Sequence, residues 1–155
     1  MSLAAEVLDR ARAMGVTIAT AESCTGGMIA AALTDIAGSS DVFDRGFVTY
    51  SNDAKSQMLG VAAHLIDDHG AVSEEVARAM AVGAMKRSNA TLTVSVTGIA
   101  GPGGSEFKPE GRVCFGIASE EGTTTETIEL GAIGRSEVRA ATVKHALKLL
   151  HQAIA

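Results

Sequence analysis

The sequence predicts an α/β fold, a three-layer α/β/α sandwich with a mixed, partly parallel sheet, formed as a single domain over residues 1–155. Three observations point to it. Short apolar, β-branched runs alternate three times with segments of helical period, the pattern of consecutive βα units. Two further strand-like runs, "RVCFGIAS" and "TTTETIEL", are joined by the short link "EEG" and read as an antiparallel hairpin. Hydrophobic residues make up 46% of the 155 positions, enough for one core without disulfide staples.

Taken in order, Leu3, Val7, Ala11 and Met14 recur at helical spacing, and Gly15 stops that helix before the strand-like run "VTIAT". From Gly27 to about Ile36 a second helix presents Met28, Ile29, Ala32, Leu33 and Ile36 on one broad face, and "AGSSD" breaks it. "GFVTY" is the second strand, followed by Asn52 as N-cap of a short helix that ends near "LGV". Residues His64 to His69 form a short turn or helix. Ser73 then caps "SEEVARAMAVGAMKRSN", whose early acids and late bases suit the helix dipole. "TLTVSVTG" is the third strand. The long segment "GIAGPGGSEFKPEG" holds both prolines and a glycine cluster, so it is a loop of the length that usually carries function. After the hairpin, Arg135 to Ile154 forms a closing helix with Val138, Ala141, Ala146 and Leu149 among its apolar positions.

Composition excludes several function classes. Only 3% of residues are aromatic, with no Trp and one Tyr, and the net charge is -5; stacking surfaces and basic patches for nucleic acid are both missing. No apolar run is long enough to span a membrane, and the charged N-terminus is no signal peptide, so no membrane partner and a cytoplasmic location are expected. Cys24 and Cys114 form no CxxC pattern, and the four histidines make no H-E-x-x-H pattern; no metal site is expected. The broad apolar surface of the last helix leaves room for a homo-oligomer.

In an open α/β sheet the loops leaving the carboxyl ends of parallel strands share one edge, where ligands bind. Three such loops are expected. They carry Glu22 to Gly27, Tyr50 to Lys55, and Thr97 to Pro102. Ser23 beside Thr25, Gly26 and Gly27 caps a helix, helps hold a phosphate, or attacks an electrophile, with backbone N–H groups of that turn as oxyanion donors. A serine nucleophile needs a base. Lys55, in the first turn of a helix where the dipole disfavours an ammonium, has the placement of a base with a lowered pKa; the alternative is a solvated lysine near Asp53. Tyr50 ends a strand on the same edge and passes a proton, donates to an oxyanion, or is a rim aromatic. Thr97, Gly98, Ala100, Gly101 and Gly103 offer close-set amides for a ligand. Arg135 and Arg139, four apart, share a helix face and present two cations to a phosphate or carboxylate, unless they are ion-paired.

The blocks "AESCTGG", "RGFVTYSNDAKSQMLGV", "TGIAGPGGSEFKPEGRV" and "GRSEVRAATVKHALKLL", in this order over nearly the whole chain, resemble the CinA C-terminal domain family, the nicotinamide-nucleotide amidohydrolases. The resemblance implies a stand-alone three-layer α/β domain that deamidates nicotinamide mononucleotide to nicotinic acid mononucleotide and ammonia, without metal or other cofactor. It implies Ser23 as nucleophile, Lys55 as its base and Tyr50 as an assisting proton donor or relay. The substrate's phosphate then falls to the Thr97–Gly104 loop or to Arg135 and Arg139. The chain departs from the family pattern at Ile133-Gly134, Ser105, Glu110 and Arg112, all outside the triad. A non-catalytic nucleotide-binding module, or an amidase for another small carboxamide, are the competing functions.

Overall fold

A computed structural model describes residues 1–154. Its strands β1 (Ile18–Glu22), β2 (Phe43–Val48), β3 (Leu92–Gly98), β4 (Arg112–Ser119) and β5 (Gly122–Glu129) form one sheet in the order β2-β1-β3-β4-β5. β1 pairs in parallel with β2 and β3, and β4 runs antiparallel to both β3 and β5. The six helices are α1 (Leu3–Met14), α2 (Met28–Thr34), α3 (Asn52–Leu59), α4 (Ala63–His69), α5 (Glu74–Lys86) and α6 (Arg135–Ala153). The expected α/β sandwich with a mixed sheet is therefore what the chain forms.

Two cores flank the sheet. On one face α1, α2 and α6 close over Ile18, Leu92, Val94 and Val96 through Val7, Leu8, Ile29, Leu33, Val138 and Leu150. The opposite face is covered by α3, α4 and α5, with Leu59, Ile66, Val76 and Met80 packed near Ala21. The apolar positions of α6 are thus spent on the core of the same chain, so they do not supply the free surface on which an oligomer was expected. Strand β3 shows how the period-2 alternation is used: its even-numbered residues are apolar, while Thr93, Ser95 and Thr97 donate hydroxyls to the carbonyls of Ala81, Ala77 and Ala71 at 2.7, 2.6 and 2.8 Å. Short polar side chains on that face draw α5 and its leading loop close while satisfying the buried hydroxyls.

Several boundaries shift from the sequence expectation. The first strand starts at Ile18 and runs through Glu22, since both faces of β1 are buried along its whole length. The second strand ends at Val48, which leaves Tyr50 beyond it. The N-cap of α3 is Ser51, whose hydroxyl accepts from the Ala54 amide at 3.0 Å; Asn52 is the first helical residue. The segment before Ser73 is the full helix α4, and Ser73 caps α5 as expected.

Candidate active site

The three loops at the carboxyl ends of β1, β2 and β3 converge, and with the start of α6 they enclose a cleft of about 360 Å³. Ser23, Cys24, Tyr50, Asn52, Lys55, the stretch Thr97 to Glu106, and Arg135 line it.

Lys55 lies at the floor. Helix α3 is short because Ser51 caps its start and Gly60, in the left-handed region at φ 70°, ends it. Lys55 and Leu59 fall one turn apart on the inner face and both are buried. Gly83 permits this seating: a Cβ there would stand 2.0 Å from the Leu59 carbonyl oxygen, so only glycine lets α3 settle onto α5. The Lys55 side chain is 1% exposed. Its Nζ donates to Ser23 Oγ at 3.2 Å and to the Tyr50 carbonyl at 3.5 Å, and neither partner is charged. Burial draws the amine below its ordinary pKa, outweighing the opposing pull of Cys24 and of the Glu106 carboxylate.

Ser23 is the first residue beyond β1, its amide held by the Val96 carbonyl of β3 at 3.1 Å. Cys24, its neighbour, is packing. Burial pushes its thiol up to about 11, and its Sγ fills the space beside Gly98, where a Cβ would come within 3.2 Å of the sulfur.

The other sequence candidates divide into two groups. Thr97, Gly98, Ala100, Gly101 and Gly103 all line the cleft. Arg135 stands at its rim, donating from Nη1 to the Gly101 carbonyl at 2.6 Å and from Nη2 to the Tyr50 hydroxyl at 2.8 Å. Tyr50 is 59% exposed, and its phenol faces Arg135 while its carbonyl faces Lys55. Thr25, Gly26, Gly27 and Arg139 lie outside the cleft lining. Thr25 is fully buried with its hydroxyl on Glu22; the Gly26 amide donates to the Ser23 carbonyl at 3.0 Å. Arg139 donates to the carbonyls of Cys24 and Thr25 at 3.1 and 3.3 Å, so this arginine binds the turn that carries Ser23.

Sequence reasoning passed over Glu110 and Glu106 as site residues. The Glu110 carboxylate accepts from the Gly103 amide at 2.5 Å and so shapes the glycine loop from beneath. Glu106 lines the cleft and accepts from the Ala71 amide at 3.1 Å, tying that loop to the segment before α5. Arg112 pairs with Glu129 at 2.6 Å across the hairpin and away from the cleft. Among the described residues no group of three or more His, Cys, Asp or Glu side chains is arranged to hold a metal ion.

The family model of the CinA C-terminal domain matches residues 1–154. The chain belongs to the CinA C-terminal domain family. Among relatives within this family, the nicotinamide-nucleotide amidohydrolase PncC of Escherichia coli strain K12 is 50% identical over 98% of this chain and 93% of its own length. A CinA-like protein of Mycolicibacterium gilvum is 55% identical over 90% of this chain but only 33% of its own length. The crystal structure of the competence/damage inducible protein CihA from Agrobacterium tumefaciens superposes with a TM-score of 0.94 at 51% identity, covering 98% of this chain and 93% of that one. The competence damage-inducible protein A of Klebsiella pneumoniae gives the same TM-score at 38% identity over 97% and 93% of the two chains.

Proposed function

We propose that this CinA C-terminal domain hydrolyses the carboxamide of nicotinamide mononucleotide, releasing ammonia and nicotinic acid mononucleotide, with Ser23 as nucleophile and Lys55 as its base. One observation carries the reading: a buried lysine amine, its pKa lowered by desolvation, lies 3.2 Å from a serine hydroxyl at the floor of a cleft. A module that only binds a nucleotide gains nothing from burying an amine against a hydroxyl. The Escherichia coli relative is a nicotinamide-nucleotide amidohydrolase, which supports a nicotinamide nucleotide as the substrate here.

The steps follow from those positions. In the neutral amine state the hydrogen bond reverses, and the Ser23 hydroxyl donates to Lys55 Nζ. Oγ attacks the carboxamide carbon while Lys55 takes its proton, and the carbonyl oxygen becomes an oxyanion. The Cys24 amide follows Ser23 directly, on a residue that lines the cleft, and it is the donor assigned to that oxyanion. The Gly26 amide is already engaged and takes no part. Lys55 returns the proton to the departing nitrogen, which leaves as ammonia. Water, deprotonated by the same amine, then attacks the acyl carbon; the C–Oγ bond breaks, Lys55 returns that proton to Ser23 Oγ, and nicotinic acid mononucleotide leaves. Tyr50 and Arg135 act at the rim: the guanidinium meets the substrate's phosphate, and the phenol orients the guanidinium. No described helix is long and apolar enough to cross a membrane. Two unpaired buried thiols and a nucleotide substrate support a cytoplasmic setting.

Ammonia release from nicotinamide mononucleotide tests the reading. The wild type turns over, and Ser23→Ala and Lys55→Ala each lower kcat by about 10³-fold or more. Full activity in Ser23→Ala would overturn the nucleophile assignment, and a folded but inactive wild type that still binds the nucleotide would make the domain a binding module.

A further inference from the structure

Glu22, the last residue of β1, is only 1% exposed. A buried carboxylate is costly unless donors replace its water. Three do so: the Thr25 hydroxyl at 2.6 Å and the amides of Ile29 and Ala30 at 2.8 and 3.0 Å. Those two amides belong to the first turn of α2, where helical N–H groups lack partners within the helix. The residue in the N-cap position of α2 is Gly27, which has no side chain to offer them. Glu22 therefore caps the helix from seven and eight residues upstream, joining the end of β1 to the start of α2.

Everything between these two points is a closed turn with Ser23 in it. The turn is also held internally, by the Gly26 amide on the Ser23 carbonyl and the Met28 amide on the Thr25 carbonyl, each at 3.0 Å. From α6, Arg139 grips the carbonyls of Cys24 and Thr25. The hydrogen bonds of Glu22 reach neither Ser23 Oγ nor Lys55 Nζ. We infer that Glu22 is a positioning residue for the nucleophile: its carboxylate fixes the turn so that Ser23 Oγ meets Lys55 Nζ, and it takes no proton from the reaction. The inference rests on the Ser23–Lys55 reading above. It also explains why the start of α2 is closed to a substrate anion, since a carboxylate of the chain already occupies it.

Glu22→Gln keeps the side chain's size but sets an amide donor among three donors, so one of them loses its partner and the turn shifts. Small displacements of a reacting atom cost up to about 100-fold in rate. The expected result is a fall in kcat of about 10- to 100-fold per folded molecule, with KM within about 2-fold and the acidic limb of the pH profile unmoved. Leu150→Ala, a core truncation near the far end of α6, serves as the control that loses thermal stability while holding kcat of the folded fraction. Glu22→Asp, which retains the charge one methylene short, gives the same split between kcat and KM should the Gln variant fail to fold. Wild-type kcat in the folded Glu22 variants would overturn the inference, and so would a displaced acidic limb, which would mean that Glu22 exchanges protons with the reaction. Ser23→Ala run alongside separates the two readings: if it stays active, the nucleophile assignment fails; if it is inactive while the Glu22 variants are normal, only the positioning role fails.

Discussion

At the floor of the cleft Lys55 and Ser23 are 1% and 7% exposed, and their side chains meet each other; at the rim Tyr50 is 59% exposed, and its partner Arg135 is an exposed guanidinium. The floor is seated by close packing of α3 on α5, whereas the rim is tied by two hydrogen bonds from one arginine. Desolvation at the floor lowers the pKa of the amine, which favours its neutral form and suits it to take a proton. Exposure at the rim leaves a hydrated guanidinium facing solvent, which suits recognition of an anion. On the proposed reaction, the contrast would separate rate from affinity along a single cleft wall.

Mutations can break that separation. The largest effect is expected from Lys55→Met, which removes the base yet fits its buried stem: kcat falls by about 10³-fold or more, while the melting temperature rises. The sign follows from linkage. A folded-state lysine pKa below the ordinary 10.5 means that the unfolded chain binds a proton the native state resists. The stability cost is full below the lowered pKa and fades as pH climbs toward 10.5, so the gain of the Met variant should shrink over that alkaline window. Thermal unfolding at several pH values measures it, and in the wild type kcat should fall on the acidic side as the amine protonates. Equal melting temperatures for the two proteins at neutral pH would show that Lys55 carries no burial penalty. Next in size, Arg135→Ala should raise KM by about 10- to 100-fold with kcat within a few fold, as loss of one charge-assisted contact predicts. A drop confined to kcat would place Arg135 with the floor. The smallest change is expected for Tyr50→Phe, which frees the guanidinium of one neutral hydrogen bond and raises KM about 2- to 5-fold. A loss near that of Lys55→Met would restore the proton-relay role to the phenol.

The floor and the rim also differ in how far they could be read from sequence. Strand alternation and helical spacing placed the three loops on one edge, and with them Ser23, Tyr50 and Lys55. The burial of Lys55 was not legible, because it depends on a glycine 28 positions away letting two helices touch. Ser51 and Asn52 are both good caps, and only the early end of β2 decides between them. Arg135 and Arg139 share a helix face at four-residue spacing, but one turn along α6 moves the second guanidinium from the rim onto the carbonyls behind Ser23. Glu22 was hardest to see. Two of its three partners are backbone amides, which carry no side-chain signature.

The connection between β3 and β4 has a consequence beyond the reaction. Its two ends are laced together where the strands separate, by the Ile99 amide on the Arg112 carbonyl and the Gly111 amide on the Ile99 carbonyl at 2.9 and 2.7 Å. Between those ties the chain forms a wall of the cleft, anchored by Lys108 Nζ on the carbonyls of His69 and Val72 at 2.7 and 2.6 Å and by Arg135 on the Gly101 carbonyl, yet it holds neither Ser23 nor Lys55. Exchanges of the residues there that make no such tie alter the wall while leaving the Ser23–Lys55 contact in place. Drift at the positions that make no such tie would retune which molecules are admitted while the Ser23–Lys55 pair is inherited unchanged.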